Sequence, residues 1–363
     1  MKKIVLAVLL LGSLALSACT AQNENSSVPV SEESKTEVSS SVGDSQANTA
    51  ESRDLFAMDT YMQLTAYGEE AGEAVDAACQ EIQRLDALLS TGSETSEVTK
   101  LNRAGGGSLS EDVNCLLGES LKIYRETDGA FDITVYPVMR AWGFTDESYR
   151  VPSEEELSSL LSLVDSSSLA YDEENASVTF EKQGTEIDLG GIAKGYTSGK
   201  IMDIFRSYGI ASGQVSLGGN VQVLGRKTDG TLWRVAIQNP DLDGDFLGIV
   251  SVEDRAVITS GGYERYFEQD GVTYHHILDP STGYPANSGL TSVSIVSKDG
   301  LLADGLSTAL FVMGKEKAEA YWKEHSEDFD AILYTEEGTL YITEGIEENF
   351  SSNLDVQVIR KDR

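Results

Sequence analysis

The chain has few basic residues for its length. Across 363 residues, 27 Lys and Arg stand against 60 Asp and Glu, which gives a formal net charge of −33 at pH 7. Because a nucleic-acid backbone binds proteins through clustered cations, this balance argues against a nucleic-acid partner. It argues equally against attachment to an anionic membrane surface through charge.

Proline, cysteine and histidine are also scarce, with 6, 3 and 3 residues. The low proline count excludes a proline-rich extended protein, and the cysteines lack the spacing of a zinc site. Cys79 and Cys115 lie in helix-like segments, and the sequence leaves open two buried thiols or one disulfide. By contrast, 34 Gly, 15 Tyr, 10 Phe, 3 Trp and 40% apolar residues are enough for a sizeable folded core.

The first residues have the pattern of an export signal. Lys2 and Lys3 precede an apolar run over residues 4–16, which is too short to span a bilayer comfortably. Small residues then precede Cys19, as in a bacterial lipobox, which predicts a lipoprotein signal peptide over residues 1–18 and lipidation of Cys19. The alternative is an ordinary secretory signal with an incidental Cys19. The lipoprotein interpretation places the protein at the extracytoplasmic face of a bacterial cell membrane, held there by its lipid alone.

The rest of the chain divides once by composition. Residues 19–52 are rich in Ser, Glu, Asn, Gln and Thr and have no apolar period, which predicts a flexible tether. Residues 53–363 contain no repeat and no linker, so we expect one domain. Adjacent strand patterns with scattered helical patterns predict the α+β class. Among these, residues 56–67 predict a single first strand, and residues 177–180 and 185–189 predict a hairpin.

The segment from Asp188 to Tyr196, DLGGIAKGY, follows a predicted strand and opens a predicted helix. Two glycines at this junction let a ligand approach the main chain, and the free amides of a helix start favour an anion. Lys194 adds a cation. The pattern predicts a phosphate or pyrophosphate site that is neither a Walker A loop nor GxGxxG; the alternative is a tight turn with an exposed lysine.

A second segment, ADGLSTAL, places Asp304 and Thr308 on one face of a predicted helix. Carboxylate and hydroxyl oxygens suit Mg²⁺ and are poor ligands for zinc. The alternative is that Asp304 lies near the helix start and bonds backbone amides, with Thr308 bonding a carbonyl.

A third segment, YHHILDPSTG, contains two of the three histidines, His275 and His276. Neighbouring residues on a strand point to opposite faces, so one histidine is expected to face a site and the other solvent. The alternative is a surface hairpin rich in Tyr and His.

Together the ordered segments DLGGIAKGY, SLGGN, TSGGYERYF, HILDPSTG and ADGLSTAL resemble the ApbE-type FAD:protein FMN transferases, and the resemblance covers nearly all of the chain after the tether. It implies a single α+β domain, related to the T-fold, of mixed sheets with packed helices and a flavin site between lobes. It implies a reaction in which a Thr or Ser hydroxyl of an exported acceptor flavoprotein attacks FAD, gains FMN through a phosphodiester and releases AMP, with Mg²⁺ on the pyrophosphate. Such acceptors belong to membrane redox complexes or extracellular electron transfer.

The resemblance also assigns residues. It implies Mg²⁺ ligands at the Gly191 carbonyl, Asp304 and Thr308, and His276 as the candidate base. The positions that it implies for flavin binding are Met58, Ala130, Phe131, Asp132, Asp188, Lys194, His276 and Ile277.

The chain departs from the family pattern at three places. Ser90-Thr91-Gly92 stands where members often have an aromatic ring that stacks on the flavin, which puts that contact in doubt. Asp59 replaces the usual glycine after Met58, and Gly190-Gly191 replaces a frequent Ser-Ala pair. Two other functions therefore stay open: an Mg²⁺-dependent FAD pyrophosphatase, and a flavin-binding lipoprotein without catalysis.

Overall fold

The structure is a computed structural model that describes residues 49–241 and 245–361. The predicted signal peptide, Cys19 and nearly all of the predicted tether lie outside the described residues. Within the described ranges, no helix is long and apolar enough to cross a membrane.

Over these residues the chain forms seventeen strands, several of them short. In chain order they are β1 (Ala50–Ala57), β2 (Thr60–Tyr67), β3 (Gly106–Ser108), β4 (Leu169–Asp172), β5 (Ser177–Phe180), β6 (Ser212–Leu217), β7 (Asn220–Leu224), β8 (Trp233–Gln238), β9 (Phe246–Val252), β10 (Ala256–Gly261), β11 (Tyr266–Gln269), β12 (Val272–His275), β13 (Leu290–Ser297), β14 (Phe329–Thr335), β15 (Leu340–Thr343), β16 (Phe350–Ser351) and β17 (Val356–Ile359).

Eight α-helices accompany the strands in the described part of the chain. They are α1 (Ala71–Leu89), α2 (Glu97–Ala104), α3 (Glu111–Glu126), α4 (Tyr136–Trp142), α5 (Glu154–Leu161), α6 (Gly190–Ser207), α7 (Gly300–Met313) and α8 (Lys315–His325). Side chains cap several starts: the hydroxyls of Ser96, Ser110 and Ser153 accept backbone N–H groups of α2, α3 and α5. Asp299 caps α7 by accepting from the N–H groups of Leu301 and Leu302.

A nine-stranded sheet organises the fold, in the order β1-β2-β6-β7-β10-β13-β14-β15-β17. All of its neighbouring pairs are antiparallel except β15 with β17, which are parallel. Three small sheets complete the structure: β16-β9-β8, β3-β5-β4 and the two-stranded β11-β12. Helices and mixed sheets in one body confirm the predicted α+β class.

Alternation along the central strands gives the large sheet two buried faces. Ile258, on β10, belongs to the apolar cluster that includes Leu306 and Leu310 of α7. The preceding Val257 belongs to a different cluster, with Trp233 of β8. The helical layer that carries α6 and α7 therefore covers one face, and the small sheet with β8 and β9 covers the other.

The expected single strand over residues 56–67 is wrong, because the chain reverses inside it. Met58 and Asp59 have φ of 48° and 56° and form a two-residue turn between β1 and β2. Positive φ at both positions is what a type I′ hairpin turn needs. Because Ala57 pairs with Thr60, the inward positions change from odd numbers in β1 to even numbers in β2, so the alternation shifts by one residue at the turn.

Two other expectations are corrected. Residues 185–189 do not pair with β5; β5 lies between β3 and β4, because the four-residue strand finds partners on both edges there. Residues 50–52, assigned to the tether, lie in β1 and pair with residues 65–67. Main-chain pairing orders this polar edge without much apolar burial.

The two remaining cysteines are free thiols, which settles the alternative against a disulfide. Cys79 is half-buried and Cys115 is exposed. Burial raises the pKa of both thiols.

Candidate active site

The site is built where α6 and α7 cross. A Cβ atom placed on Gly195 would lie 2.1 Å from the Gly300 carbonyl oxygen and 2.6 Å from Asp304 Cβ. Only glycine therefore allows the two helix backbones to approach this closely. The contact brings Asp304 of α7 to the first turns of α6, which begin at Gly190.

Asp304 is buried and hydrogen-bonded through both carboxylate oxygens. Oδ2 accepts the Gly195 N–H at 2.7 Å, and Oδ1 accepts Asn220 Nδ2 at 2.9 Å. Asn220 is placed by the Gly218-Gly219 turn at the start of β7, where both glycines have positive φ. Desolvation raises the pKa of the Asp304 carboxyl, and the nearby Lys194 charge opposes the rise. The alternative, in which Asp304 bonds backbone amides, is partly correct: Asp304 accepts a backbone N–H, but from Gly195 of α6, while Asp299 caps α7.

Thr308 lies one turn after Asp304 and meets strand β10. Ser260 Oγ lies 3.2 Å from Thr308 Oγ1 and 2.8 Å from Ser307 Oγ. Ser307 Oγ in turn donates to the Asp304 carbonyl at 2.8 Å. The hydroxyl of Thr308 is thus held by the strand that ends in the second glycine pair, Gly261-Gly262.

The main chain at Gly191 is exposed at the start of α6. In a regular helix the Gly195 N–H would bond the Gly191 carbonyl, but here it donates to Asp304. The Gly191 carbonyl therefore keeps lone-pair capacity. Phe131 packs over this residue, with Cε2 only 3.1 Å from the place that a Cβ would take.

These donors fit a hard divalent cation. One buried carboxylate, one carbonyl and one hydroxyl are oxygen ligands of the kind that Mg²⁺ takes, and the ion keeps waters for its remaining positions. Each oxygen of Asp304 accepts one hydrogen bond and retains further lone pairs. Among the residues that the structure describes, there is no cluster of three or more His, Cys, Asp or Glu side chains that could hold a metal. These three oxygens would leave positions on the metal for the oxygens of an anionic ligand.

Asp188 faces the same helix start. Its Oδ1 accepts the Gly190 N–H at 2.5 Å, and Thr91 Oγ1 lies 3.5 Å from Oδ2. Burial raises the pKa of this carboxyl, and the charge of Arg265 opposes the rise. The segment around Gly92, where the family ring is missing, is therefore adjacent to Asp188. The rings that the structure does bring to the site are Phe131, at Gly191, and Phe144, whose edge meets the His276 ring.

His276 is held as a neutral imidazole. Its Nδ1 lies 3.1 Å from the Arg265 carbonyl, which also accepts the His276 N–H at 3.0 Å. Since a carbonyl only accepts, Nδ1 carries the proton and Nε2 keeps its lone pair. Burial, with help from the charge of Arg265, lowers the pKa of His276 to about 3.

The expectation that one histidine faces solvent is wrong for His275. Its Nε2 bonds the Ala286 carbonyl at 3.1 Å, and its ring packs edge-on against Phe311, with 5.6 Å between centroids. Nδ1 is buried without a hydrogen-bond partner. His275 is therefore held against Ala286 and Phe311, although most of the hairpin β11–β12 is exposed.

The other predicted flavin residues lie in three places. The Met58 N–H donates to Asp86 Oδ1 at 3.1 Å, and Thr197 Oγ1 lies 3.9 Å from its sulfur, which places Met58 against α6. The Ile277 side chain is buried. Ala130 and Phe131 lie just before a short 3-10 turn at residues 133–135.

Asp132 has a structural task that the sequence did not reveal. Its carboxylate accepts from Thr134 N–H and Oγ1 and from Ser166 N–H and Oγ, at 2.5 to 3.1 Å. This side chain ties the segment of Ala130 and Phe131 to the loop at Ser166. Its contact with flavin stays a prediction.

Glu264 and Arg265 had no role assigned from the sequence, although both belong to the quoted TSGGYERYF motif. Although Glu264 is exposed at the surface, desolvation by its surroundings raises the pKa of its carboxyl to about 7, and Lys194 and Arg265 oppose the rise. The same two cations act on His276. In the sequence, the signal that could have identified them was an adjacent Glu-Arg pair between a glycine turn and a strand.

Comparison with known proteins agrees with the site. The ApbE family model matches residues 58–333. An FAD:protein FMN transferase of Klebsiella pneumoniae is 35% identical over 260 residues, 70% of this chain and 80% of that protein, and one of Vibrio cholerae is 33% identical over 263 residues, 71% and 78%.

Solved structures match as well. The ApbE protein of Thermotoga maritima superposes with a TM-score of 0.78 at 34% identity, covering 83% of this chain and 99% of that one. The flavin transferase ApbE of Vibrio cholerae superposes with a TM-score of 0.74 at 27% identity, covering 83% and 100%. With a family match over most of the described domain, and with the quoted motifs meeting at one helix crossing, the chain belongs to the ApbE family.

Proposed function

We propose that the protein transfers FMN from FAD to a Ser or Thr hydroxyl of an acceptor protein and releases AMP, with Mg²⁺ as the required metal. Relatives over most of the chain are FAD:protein FMN transferases. The observation that carries the proposal is Asp304, a buried carboxylate fixed by Gly195 and Asn220 beside Lys194 and the start of α6. A buried carboxylate beside a cation and the positive end of a helix suits a metal-bound diphosphate.

The chain's own residues have separable tasks in this reaction. The acceptor hydroxyl oxygen forms a bond to the phosphorus on the FMN side, the bond from that phosphorus to the bridging oxygen breaks, and AMP leaves. His276 Nε2 takes the hydroxyl proton, because Nδ1 is committed to the Arg265 carbonyl. Asp304, Thr308 and the Gly191 carbonyl would hold Mg²⁺, which neutralises diphosphate charge when bound. Lys194 and the first amides of α6 add to this neutralisation.

The proposal includes a location. Export, lipidation at Cys19 and a tether that ends near Ala50 would present residues 53–363 as one catalytic domain on the outer side of the cell membrane. An exported acceptor flavoprotein of a membrane redox or extracellular electron-transfer system is the matching partner. The lipobox-like sequence before Cys19 supports this location.

Release of AMP separates the candidate functions. The mature protein is incubated with FAD and Mg²⁺, with and without an acceptor domain that carries a Ser/Thr-Gly-Ala-Thr-like site. A transferase releases AMP much faster with the acceptor and leaves FMN bound to it. Equal AMP release in both arms, with free FMN, means a pyrophosphatase; intact FAD after hours in both arms means a binding protein.

A further inference from the structure

Arg265 is half-buried beside the candidate base His276 and forms no ion pair within the described residues. It directly precedes β11, and its carbonyl holds the His276 ring and main chain. Within the described ranges, its only side-chain hydrogen bond runs from Nη1 to the Phe144 carbonyl at 3.3 Å. By contrast, Arg140 pairs with Glu186 at 2.8 Å, and Arg84 pairs with Asp112 at the same distance.

The guanidinium nevertheless lies among the groups of the site. Its charge reaches Asp188, Glu264 and His276 and lowers the pKa of each. In geometric terms, the Arg265 carbonyl holds the His276 ring, and its guanidinium donates to the carbonyl of Phe144, whose ring packs against the His276 ring. The charge of Lys194 also reaches Glu264, His276 and Asp304.

A half-buried cation of this kind needs an anion. Arg265 has five N–H donors, of which one is committed, and no carboxylate in the described structure lies within ion-pair distance of it. Lys194 likewise forms no ion pair in the described part of the chain. Two such cations beside the exposed amides of α6 are unusual in a molecule with a net charge of −33. The planar guanidinium fork matches two phosphate oxygens, whereas a lysine acts as a point charge.

We propose that Arg265 binds the diphosphate of FAD directly, opposite Lys194, and that its carbonyl sets His276 beside the same phosphates. The inference rests on FAD as the donor substrate, as proposed above. It makes Arg265 both a substrate-binding residue, through its side chain, and a positioning residue, through its main chain. Substitution of the side chain alone should remove the first task and leave the second.

The test measures binding without turnover. Wild-type protein, Arg265→Gln and Arg265→Lys are titrated with FAD, ADP and riboflavin in EDTA, so that no metal contributes and no transfer occurs. Arg265→Gln should weaken FAD and ADP by about 10- to 100-fold, the range expected for lost charge-assisted hydrogen bonds. Riboflavin, which has no phosphate, should bind both proteins equally. Arg265→Lys should weaken FAD less, since it keeps the charge and loses the fork.

A matched control is Arg206→Gln, which removes an exposed arginine of α6 that pairs with Asp203. It should leave all three affinities unchanged. The inference is overturned if Arg265→Gln leaves FAD and ADP unaffected, or if it weakens riboflavin as much as FAD, which would indicate a structural or flavin-ring role. If wild-type protein binds FAD and ADP and Arg265→Gln binds them equally well, only Arg265 is misassigned. The proposed function fails separately, when wild-type protein releases no AMP from FAD in the presence of Mg²⁺ and an acceptor.

Discussion

At the scale of single residues, Asp304 is the proposed metal ligand, and Asp299, which caps the same helix, offers its control. Asp304→Asn keeps the side-chain volume and removes the charge that would hold the metal, so transfer should fall by roughly 100-fold or more. Asp299→Asn should keep both the helix and the activity, because Asn caps a helix about as well as Asp. Steady-state rates with saturating Mg²⁺, together with circular dichroism, check both. Full activity of the Asp304→Asn protein would show that the metal site is elsewhere.

Glu264 gives a pH-dependent prediction. Its pKa is about 7 in the folded protein against an ordinary 4.5, so the folded state binds its proton more tightly over that interval. The stability that protonated Glu264 contributes is complete below about pH 4.5 and is lost as pH rises to about 7. In the metal-free protein, Glu264→Gln should therefore raise the free energy of unfolding at pH 8 and leave it nearly unchanged at pH 4.

Urea unfolding at pH 4, 6 and 8 measures this difference. Glu268→Gln, an exposed glutamate of β11, serves as the control and should show no such pH trend. A Glu264→Gln effect of the same size at every pH would mean that Glu264 does not titrate in this interval.

The sequence predicted a site residue only when its side-chain chemistry suited the site and it lay in a recognisable motif. The positions of Asp304, Thr308, Lys194 and Gly191 are consistent with the predicted roles, because helix starts and i, i+4 spacing are local properties. Arg265 and Glu264 escaped because their role depends on which groups surround them. Asp132 was assigned to flavin binding, but its carboxylate accepts a hydrogen bond from Ser166, which is distant in sequence.

At the scale of elements, the crossing of α6 and α7 depends on glycine. Gly195→Ala would place a methyl group against the Gly300 carbonyl and Asp304 Cβ, and overpacking of this kind costs about 1–3 kcal/mol. Gly199, on the same helix, has open space at its Cβ position, so Gly199→Ala should gain up to about 1 kcal/mol from helix propensity. The free energy of unfolding should thus move in opposite directions for the two substitutions.

The Gly195→Ala protein should also lose activity beyond its loss of stability, because Asp304 is displaced from the start of α6. Transfer rates measured well below the melting temperature separate the two effects. Equal stability of the two alanine variants would contradict the close helix contact.

Helices and strands were predictable to different degrees. The two helices of the site, α6 after Asp188 and α7 with Asp304, were predicted, because a strand-to-helix junction and helical spacing are local signals. α2 was missed, since it has eight residues in a polar segment. The pairing of β5 with β3 and β4 and the turn at Met58 depend on long-range partners and on backbone conformation, neither of which has a strong local signal.

At the scale of the whole molecule, the acidic surface and the export signal concern location. If Cys19 is the lipid anchor, Cys19→Ala should move the protein from the membrane fraction to the soluble extracytoplasmic fraction. Its transfer activity with FAD in solution should stay unchanged, because the described domain begins at β1, some thirty residues later. Membrane association that persists in the Cys19→Ala protein would contradict a lipid as the sole attachment.

The net charge of −33 also explains why the site gathers cations. A molecule of this charge repels an anionic substrate, so in the proposed reaction the positive groups around the diphosphate would have to be local: Lys194, Arg265 and a metal at Asp304. Lys194 was a candidate from the sequence, whereas Arg265 was added by the structure.

The intact mass of an acceptor domain after incubation with this protein, FAD and Mg²⁺ tests the central claim most directly. With wild-type protein, the acceptor should gain the mass of FMN minus water, and the gain should disappear with EDTA or with Asp304→Asn. An acceptor with an available Ser or Thr that keeps its original mass, while FAD is converted to free FMN and AMP, would contradict the account.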